Sequence, residues 1–297
     1  MNRTKRTIGS LALVALLGLP IAAQALELSW VGCGITRKAF MADLAEAYKA
    51  KTGTEITIAG GGATKGIRSI AAKEADIGGA CRYRLGRTRE EVAAKMIPVA
   101  WDALVVITHK DNPIESVSLK QLRDLYLGKI TNWSQLGGKK AGIDLLIRQG
   151  TISGVGYTLR EHLFDNINQE FKSKHTYKSS GPLEKATETN VNAIAVTGVA
   201  SAYKRDVKIL KLEGFDPSFE NIRQGKYVFY RPLFLTYNFQ SQNSKEANEF
   251  IKFALGPEGR DIIKRNKVVP YFDGMLLIQN RLKEWTNIRN KALGDNS

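Results

Sequence analysis

From Leu26 the chain alternates apolar and polar positions through Val31 (LELSWV) and then meets GlyCysGly. Alternation with period two predicts a half-buried strand. Phe40, Leu44, Ala47 and Tyr48 then recur at helical spacing through Lys51, with Thr36 placed to cap that helix and Gly53 to stop it. A second strand, Glu55 to Ala59 (EITIA), runs into three consecutive glycines. A helix from about Thr64 to Ala75 buries Ile67, Ile70 and Ala71, and a short strand follows at Asp76 to Ala80. Strands and helices that alternate with short loops predict a parallel sheet covered by helices.

The rhythm breaks at Met96 to Thr108, an apolar run through Trp101 that is long for one ordinary strand. Such a run suits a segment that crosses between two lobes. A polar helix (Thr88 to Lys95) leads into it. Beyond it the βα pattern restarts with a helix at Leu119 to Leu127, a strand at Ile143 to Ile147 and a helix opened by Ser153 and running to Phe164. Pro182 is read at the first position of a helix to about Thr189, with a strand over Val191 to Val199. Tyr227 to Asn238 (YVFYRPLFLTYN) is a second long apolar run, a return crossover. Helices at Lys245 to Leu255 and Pro257 to Asn266, a strand at Val268 to Tyr271 and a last helix around Ile278 to Leu293 complete the tail. Two crossovers around a second α/β unit predict two lobes with a cleft between them.

The first 25 residues read as an export signal: Arg3, Lys5 and Arg6, then an apolar stretch from Ile8 to Leu19, then Ala23-Gln24-Ala25 as a small-x-small cleavage site. The apolar stretch falls short of the ~20 residues a spanning helix needs. Cleavage near Ala25 takes the net charge from +15 to +12 and predicts a soluble periplasmic protein. Export removes nucleic acid as a partner for this charge and directs attention to a small anion. Two cysteines, Cys33 and Cys81, are compatible with one disulfide in an oxidising compartment. The three histidines are scattered without metal-site spacing, and no cofactor or metal is expected.

In open α/β sheets ligands bind beyond the carboxyl ends of strands, where helix N-termini offer N–H groups. Those ends are Gly32 to Arg37, Gly60 to Lys65, Cys81-Arg82 and Arg148 to Gly156. The middle stretch, GGGATKGIRSIAAKEADIGGACRYR, joins a glycine-rich turn to Lys65, Arg68, Arg82 and Arg84. Guanidinium groups pair with carboxylate or phosphate in two-pronged fashion. Few carboxylates (Asp76, Asp102) and no turn histidine fall near the expected cleft, so a hydrolase is not the reading. Trp30, Trp101, Phe40 and Tyr126 are assigned to the core, and Trp133 to a structural role.

GGGATKGIRSIAAKEADIGGACR resembles the first-lobe signature of the phosphate-binding proteins of Pst-type ABC importers. GlyCysGlyIleThr at 32–36, IleSerGlyValGly at 152–156, the return strand and the C-terminal helices follow in family order, so the resemblance runs from about Leu28 to Phe272. It implies an α/β, two-lobe type II periplasmic binding fold, each lobe a mainly parallel sheet flanked by helices. Residues 26–105 would form the first part of lobe 1, 106–230 lobe 2, and 231–297 the return to lobe 1. The ligand positions it implies are Thr36, Ala63, Thr64, Arg82, Arg148, Ser153 and Gly154, with Arg37 and Lys65 at the rim. Ala63 replaces a serine of the pattern, with Thr64 beside it. Val155 and Gly156 replace a threonine and an arginine, so the identity of the anion is open. The usual strand order of this fold brings Cys33 and Cys81 to the cleft floor as neighbours. They are read there as a disulfide between binding loops, as a thiolate pair for a soft metal or metalloid, or as two thiols without a role. The function implied is capture of phosphate or a related oxyanion, by a monomer, for an ABC permease. The alternative output is a ligand sensor docking on a membrane histidine kinase.

Overall fold

The structure, a computed structural model, describes residues 26–86 and 88–279. The expected signal segment, its cleavage point near Ala25 and most of the last expected helix lie outside those residues. Lobe 1 begins with β1 (Glu27–Gly32), α1 (Gly34–Thr36), a π-helical stretch (Arg37–Met41) and α2 (Ala42–Thr52), followed by β2 (Glu55–Gly60), α3 (Gly62–Ala71), β3 (Ile77–Ala80) and α4 (Arg89–Val92). β1 pairs in parallel with both β2 and β3. Leu28, Trp30, Ile56, Ile67, Ile70 and Ile77 form the buried seam between this sheet and its helices.

β4 (Lys95–His109) is the element shared by the two lobes. Its first part, Lys95 to Ala103, pairs antiparallel with β11 (Tyr230–Tyr237), and Leu104 to His109 pairs with lobe 2. Lobe 2 contains β5 (Ser116–Val117), α5 (Leu119–Tyr126), β6 (Asp144–Arg148), α6 (Gly154–Phe164), β7 (His175–Tyr177), α7 (Ser180–Thr189), β8 (Ala193–Gly198), α8 (Val199–Ala202), β9 (Val207–Ile209), β10 (Lys211–Leu212) and α9 (Phe219–Arg223). Here β6 pairs in parallel with β7 and β8. The chain returns through β11 to α10 (Ser244–Leu255), α11 (Pro257–Arg265) and β12 (Val269–Pro270). One curled sheet in the order β2-β1-β3-β11-β4-β8-β6-β7 runs through both lobes, parallel at its flanks and antiparallel where the crossovers meet.

Three local expectations are corrected. The helical run after β1 is capped by Cys33, whose sulfur accepts from the Thr36 N–H; Thr36 lies inside the first turn. Pro182 is the third residue of α7, because Ser179 in extended conformation already starts the helix. The expected helix from Thr88 to Lys95 is the single turn α4, since β4 claims Lys95 onward. Glycine matters most where β1 and β3 face Trp30. A Cβ on Gly32 or Gly79 would come within 2.3 or 2.2 Å of its indole, so these two residues form the slot that seats it. Trp30, Trp101, Phe40, Tyr126 and Trp133 are all buried.

Candidate functional site

A cleft of about 490 Å³ opens between the lobes, lined by Gly32, Gly34, Arg37 and Gly60 to Gly62 from one side and by Ser179 to Gly181 from the other. The N-terminal turns of α3 and α7 both border it. Their first N–H groups have no partner within the helix, and the helix dipole favours negative charge there. Glycines at 60–62 leave the backbone uncovered, and Gly62 has φ +82°, a conformation that suits glycine.

Between the lobes the two crossover strands place Arg231 directly opposite Asp102 in the antiparallel register. Both are buried, and Arg231 Nη2 donates to Asp102 Oδ2 at 3.2 Å. Asp102 Oδ1 accepts from the Val199 N–H. Among the described residues, Arg231 Nε and Nη1 have no hydrogen-bond partner. Leaving a buried donor unpaired costs about 1–3 kcal/mol, more when it is charged, so a fully enclosed guanidinium with two idle nitrogens marks a place built to receive an acceptor. Burial raises Asp102 to about 6, against the pull of Arg231.

The thiols lie in the same electrostatic neighbourhood. Cys33 and Cys81 are both buried and both free, so the expected disulfide is not formed. The Cys33 sulfur is instead engaged as a helix cap, 3.4 Å from Thr36 N and 3.3 Å from Thr36 Oγ1. Burial pushes Cys33 up, but hydrogen bonds from Cys81 and Thr36 and the charge of Arg231 bring it down to about 6. Cys81 moves the opposite way, because its hydrogen bond to Cys33 and its own burial disfavour a second thiolate. The coupling favours one thiolate, at Cys33, over two. Arg148 and Arg231 both interact with the pair.

The expected site residues divide into two groups. Cys33, Thr36, Ala63, Cys81 and Gly154 come together: a Cβ on Gly154 would lie 2.3 Å from Cys81 Sγ and 3.2 Å from the Ala63 methyl. Thr36 is buried, and its hydroxyl donates to Cys33 O. Arg148 donates to Tyr177 O, Ser180 Oγ and Lys178 O, which leaves two of its five N–H groups. Ser153 precedes α6 and approaches only Gly150 O, at 3.4 Å.

Arg82 departs from expectation. Its five donors all go to protein: Nε to Ile152 O, Nη1 to Tyr83 O and Glu91 Oε2, Nη2 to Thr64 Oγ1 and Glu91 Oε1. Thr64 is committed with it, donating to Ile152 O at 3.0 Å. These two residues tie lobe 1 to the α6 approach in lobe 2. Arg37 borders the cleft and is exposed, whereas Lys65 faces an outer groove along α3 with Arg68 and Glu74.

The sequence reasoning passed over Arg231, Ser180 and the rim pair of Lys38 with Glu184. Lys38 Nζ crosses the cleft to Glu184 Oε2 at 2.8 Å and Ser201 Oγ at 2.9 Å. A signal for Arg231 was present: one arginine interrupts YVFYRPLFLTYN as one aspartate interrupts the earlier run, and buried charges within strands occur in pairs. Among the described residues, no group of three or more His, Cys, Asp or Glu side chains is arranged to hold a metal ion. No described helix is long and apolar enough to cross a membrane.

This architecture is that of a two-lobe solute-binding protein of the type II periplasmic class. The PBP superfamily domain matches residues 32–258, and the chain belongs to that superfamily. Within it the chain is PstS-like. It is 27% identical over 227 residues to the phosphate-binding protein PstS of Borreliella burgdorferi, covering 73% of this chain and 80% of that one. It is 26% identical over 181 residues to PstS of Bacillus subtilis, covering 59% and 58%. A Clostridium perfringens protein described as a phosphate ABC transporter substrate-binding protein, solved with bound phosphate, superposes with a TM-score of 0.73 at 28% identity, over 82% of this chain and 99% of that one. An ABC-type phosphate transport receptor from Vibrio cholerae shares the fold, with a TM-score of 0.62 at 23% identity over 82% and 99%.

Proposed function

We propose that this protein captures a small oxyanion of the phosphate class between its lobes in the periplasm and, as a monomer, presents the closed form to an ABC permease. The observation that carries this reading is Arg231, buried on the crossover strand β11 with two nitrogens unpartnered among the described residues. Arg148 adds spare donors, and the turns at Gly60–Gly62 and Ser179–Gly181 add backbone N–H groups. Charged hydrogen bonds of this kind are about twice as strong as neutral ones. The likeness to a C. perfringens protein solved with phosphate supports the same anion class. Binding and release without turnover fits an arrangement in which each polar group near Arg231 holds or caps rather than attacks.

A sensor reading rests on the two thiols and on Ala63 and Val155, which stand where the family pattern has hydroxyls. It keeps the fold and changes the docking partner to a histidine kinase. Isothermal titration with phosphate, arsenate and sulfate tests the main reading. We expect one phosphate or arsenate per chain; heat from none of the three would overturn it.

A further inference from the structure

A phosphate ion is an acceptor, and it is bound by donors. Arg231 and Arg148 supply donors here, but two sulfurs lie beside them: the Cys33 N–H donates to Gly79 O at 3.1 Å, at the end of the strand β3 that leads into Cys81, and the two thiols couple to one another. A thiolate there repels an oxyanion. The start of a helical run, under the Thr36 N–H, favours the thiolate form of Cys33. The N-terminus of α6 closes over Cys81 so tightly that only glycine fits at 154. Such a setting asks for a ligand that is electrophilic toward sulfur and also accepts from a guanidinium. A soft divalent cation satisfies the first condition and is repelled by Arg231 and Arg148. An uncharged trivalent oxyacid satisfies both.

We propose that Cys33 and Cys81 together form a dithiol site for a trivalent oxyacid of the arsenic or antimony class, with Arg231 holding the oxygen that remains. This rests on the reading of the cleft as an oxyanion site and adds a second ligand class to it. Each cysteine condenses with one hydroxyl of the acid. At each sulfur a sulfur–arsenic bond forms and an arsenic–oxygen bond breaks; the Cys81 thiol proton leaves with one hydroxyl as water, and the hydroxyl displaced by the Cys33 thiolate takes a proton from solvent and leaves as water. Two waters are released, arsenic stays trivalent and no electrons move. The third hydroxyl accepts from Arg231 Nε and Nη1, the two nitrogens without a protein partner.

The test is titration of the reduced protein with sodium arsenite, with phosphate and cadmium titrated separately, and arsenic-edge X-ray absorption on the arsenite complex. We expect one arsenite per chain, two sulfurs in its coordination shell, and loss of binding in both Cys33→Ser and Cys81→Ser, each checked by its thermal unfolding transition. Arg231→Lys should keep both sulfurs and weaken arsenite by ~10–100-fold, as expected when a group orienting a bound centre is altered. No arsenite heat, binding that survives either serine variant, fewer than two sulfurs, or tighter thiol-dependent binding of cadmium would each overturn the proposal. If a serine variant does not fold, the sulfur count on the unaltered protein decides. Phosphate heat without arsenite heat overturns the dithiol site and keeps the phosphate reading. Arsenite binding without phosphate or arsenate binding keeps the dithiol site and overturns that reading.

Discussion

Arg82 and Arg231 are equally buried, each at 2% exposure, yet they are opposite cases. Arg82 is held by Glu91 on two sides and by three further acceptors, and no donor is left over. Arg231 has one bond to Asp102 and two nitrogens with none. Burial alone therefore does not separate a structural guanidinium from a binding one. The count of unmet donors does. Arg82 acts as a strut that carries the lobe contact to Ile152, and Arg231 is the receptor proposed above.

The comparison breaks most clearly at Glu91. Glu91→Ala would leave Arg82 charged and unpaired in the interior, which costs about 3–5 kcal/mol and should lower the melting temperature by roughly 10 °C. A change within a degree or two would show that Arg82 is not the strut described. Arg231→Lys should do the reverse. It keeps the charge beside Asp102, leaves stability near its starting value, and removes charged hydrogen bonds to the anion of about 1.5–3 kcal/mol each. Phosphate affinity should fall ~10–100-fold, read by titration calorimetry, and unchanged affinity would remove Arg231 from the site.

Gly154→Ala tests whether closure needs bare backbone on Cys81. Overpacking of this kind costs about 1–3 kcal/mol, so the closed population, followed by small-angle scattering with saturating phosphate, should drop. A further effect is in pH. Cys33 is held at about 6 in the folded protein against an ordinary 9.0, so its contribution is fully present above pH 9 and is lost as pH falls through 6. The stability difference between the reduced protein and Cys33→Ser should therefore shrink on going from pH 9 to 6, measured as urea midpoints. A flat difference would mean that the pair carries no thiolate.

Much of the fold was legible because its signals are local. Alternation at Leu26 to Val31, the Gly53 stop and the two long apolar runs all correspond to observed elements, and β4 is one strand of 15 residues. What was not legible depends on where side chains point. Nothing in AlaCysArgTyrArg says that Arg82 turns outward to Glu91 while Cys81 faces inward. Arg231 and Asp102 are far apart in sequence, and only the β4–β11 register makes them partners. Thr36 was the better cap by residue preference, but the strand ends at Gly32 and the helix starts at Gly34. Cys33 was therefore the only residue in the capping position.

The β4–β11 register also has a mechanical consequence. Asp102 lies two residues before Leu104, where β4 changes its allegiance from one lobe to the other, and Arg231 is the second residue of the returning strand. The ionic pair thus lies at the fulcrum of the molecule, where rotation of one lobe moves atoms least. A ligand held at that point would keep almost constant geometry as one lobe rotated against the other. The Lys38–Glu184 contact at the lip joins the two lobes, and the same rotation would part it. Recognition and displacement are thereby assigned to different radii of one lever.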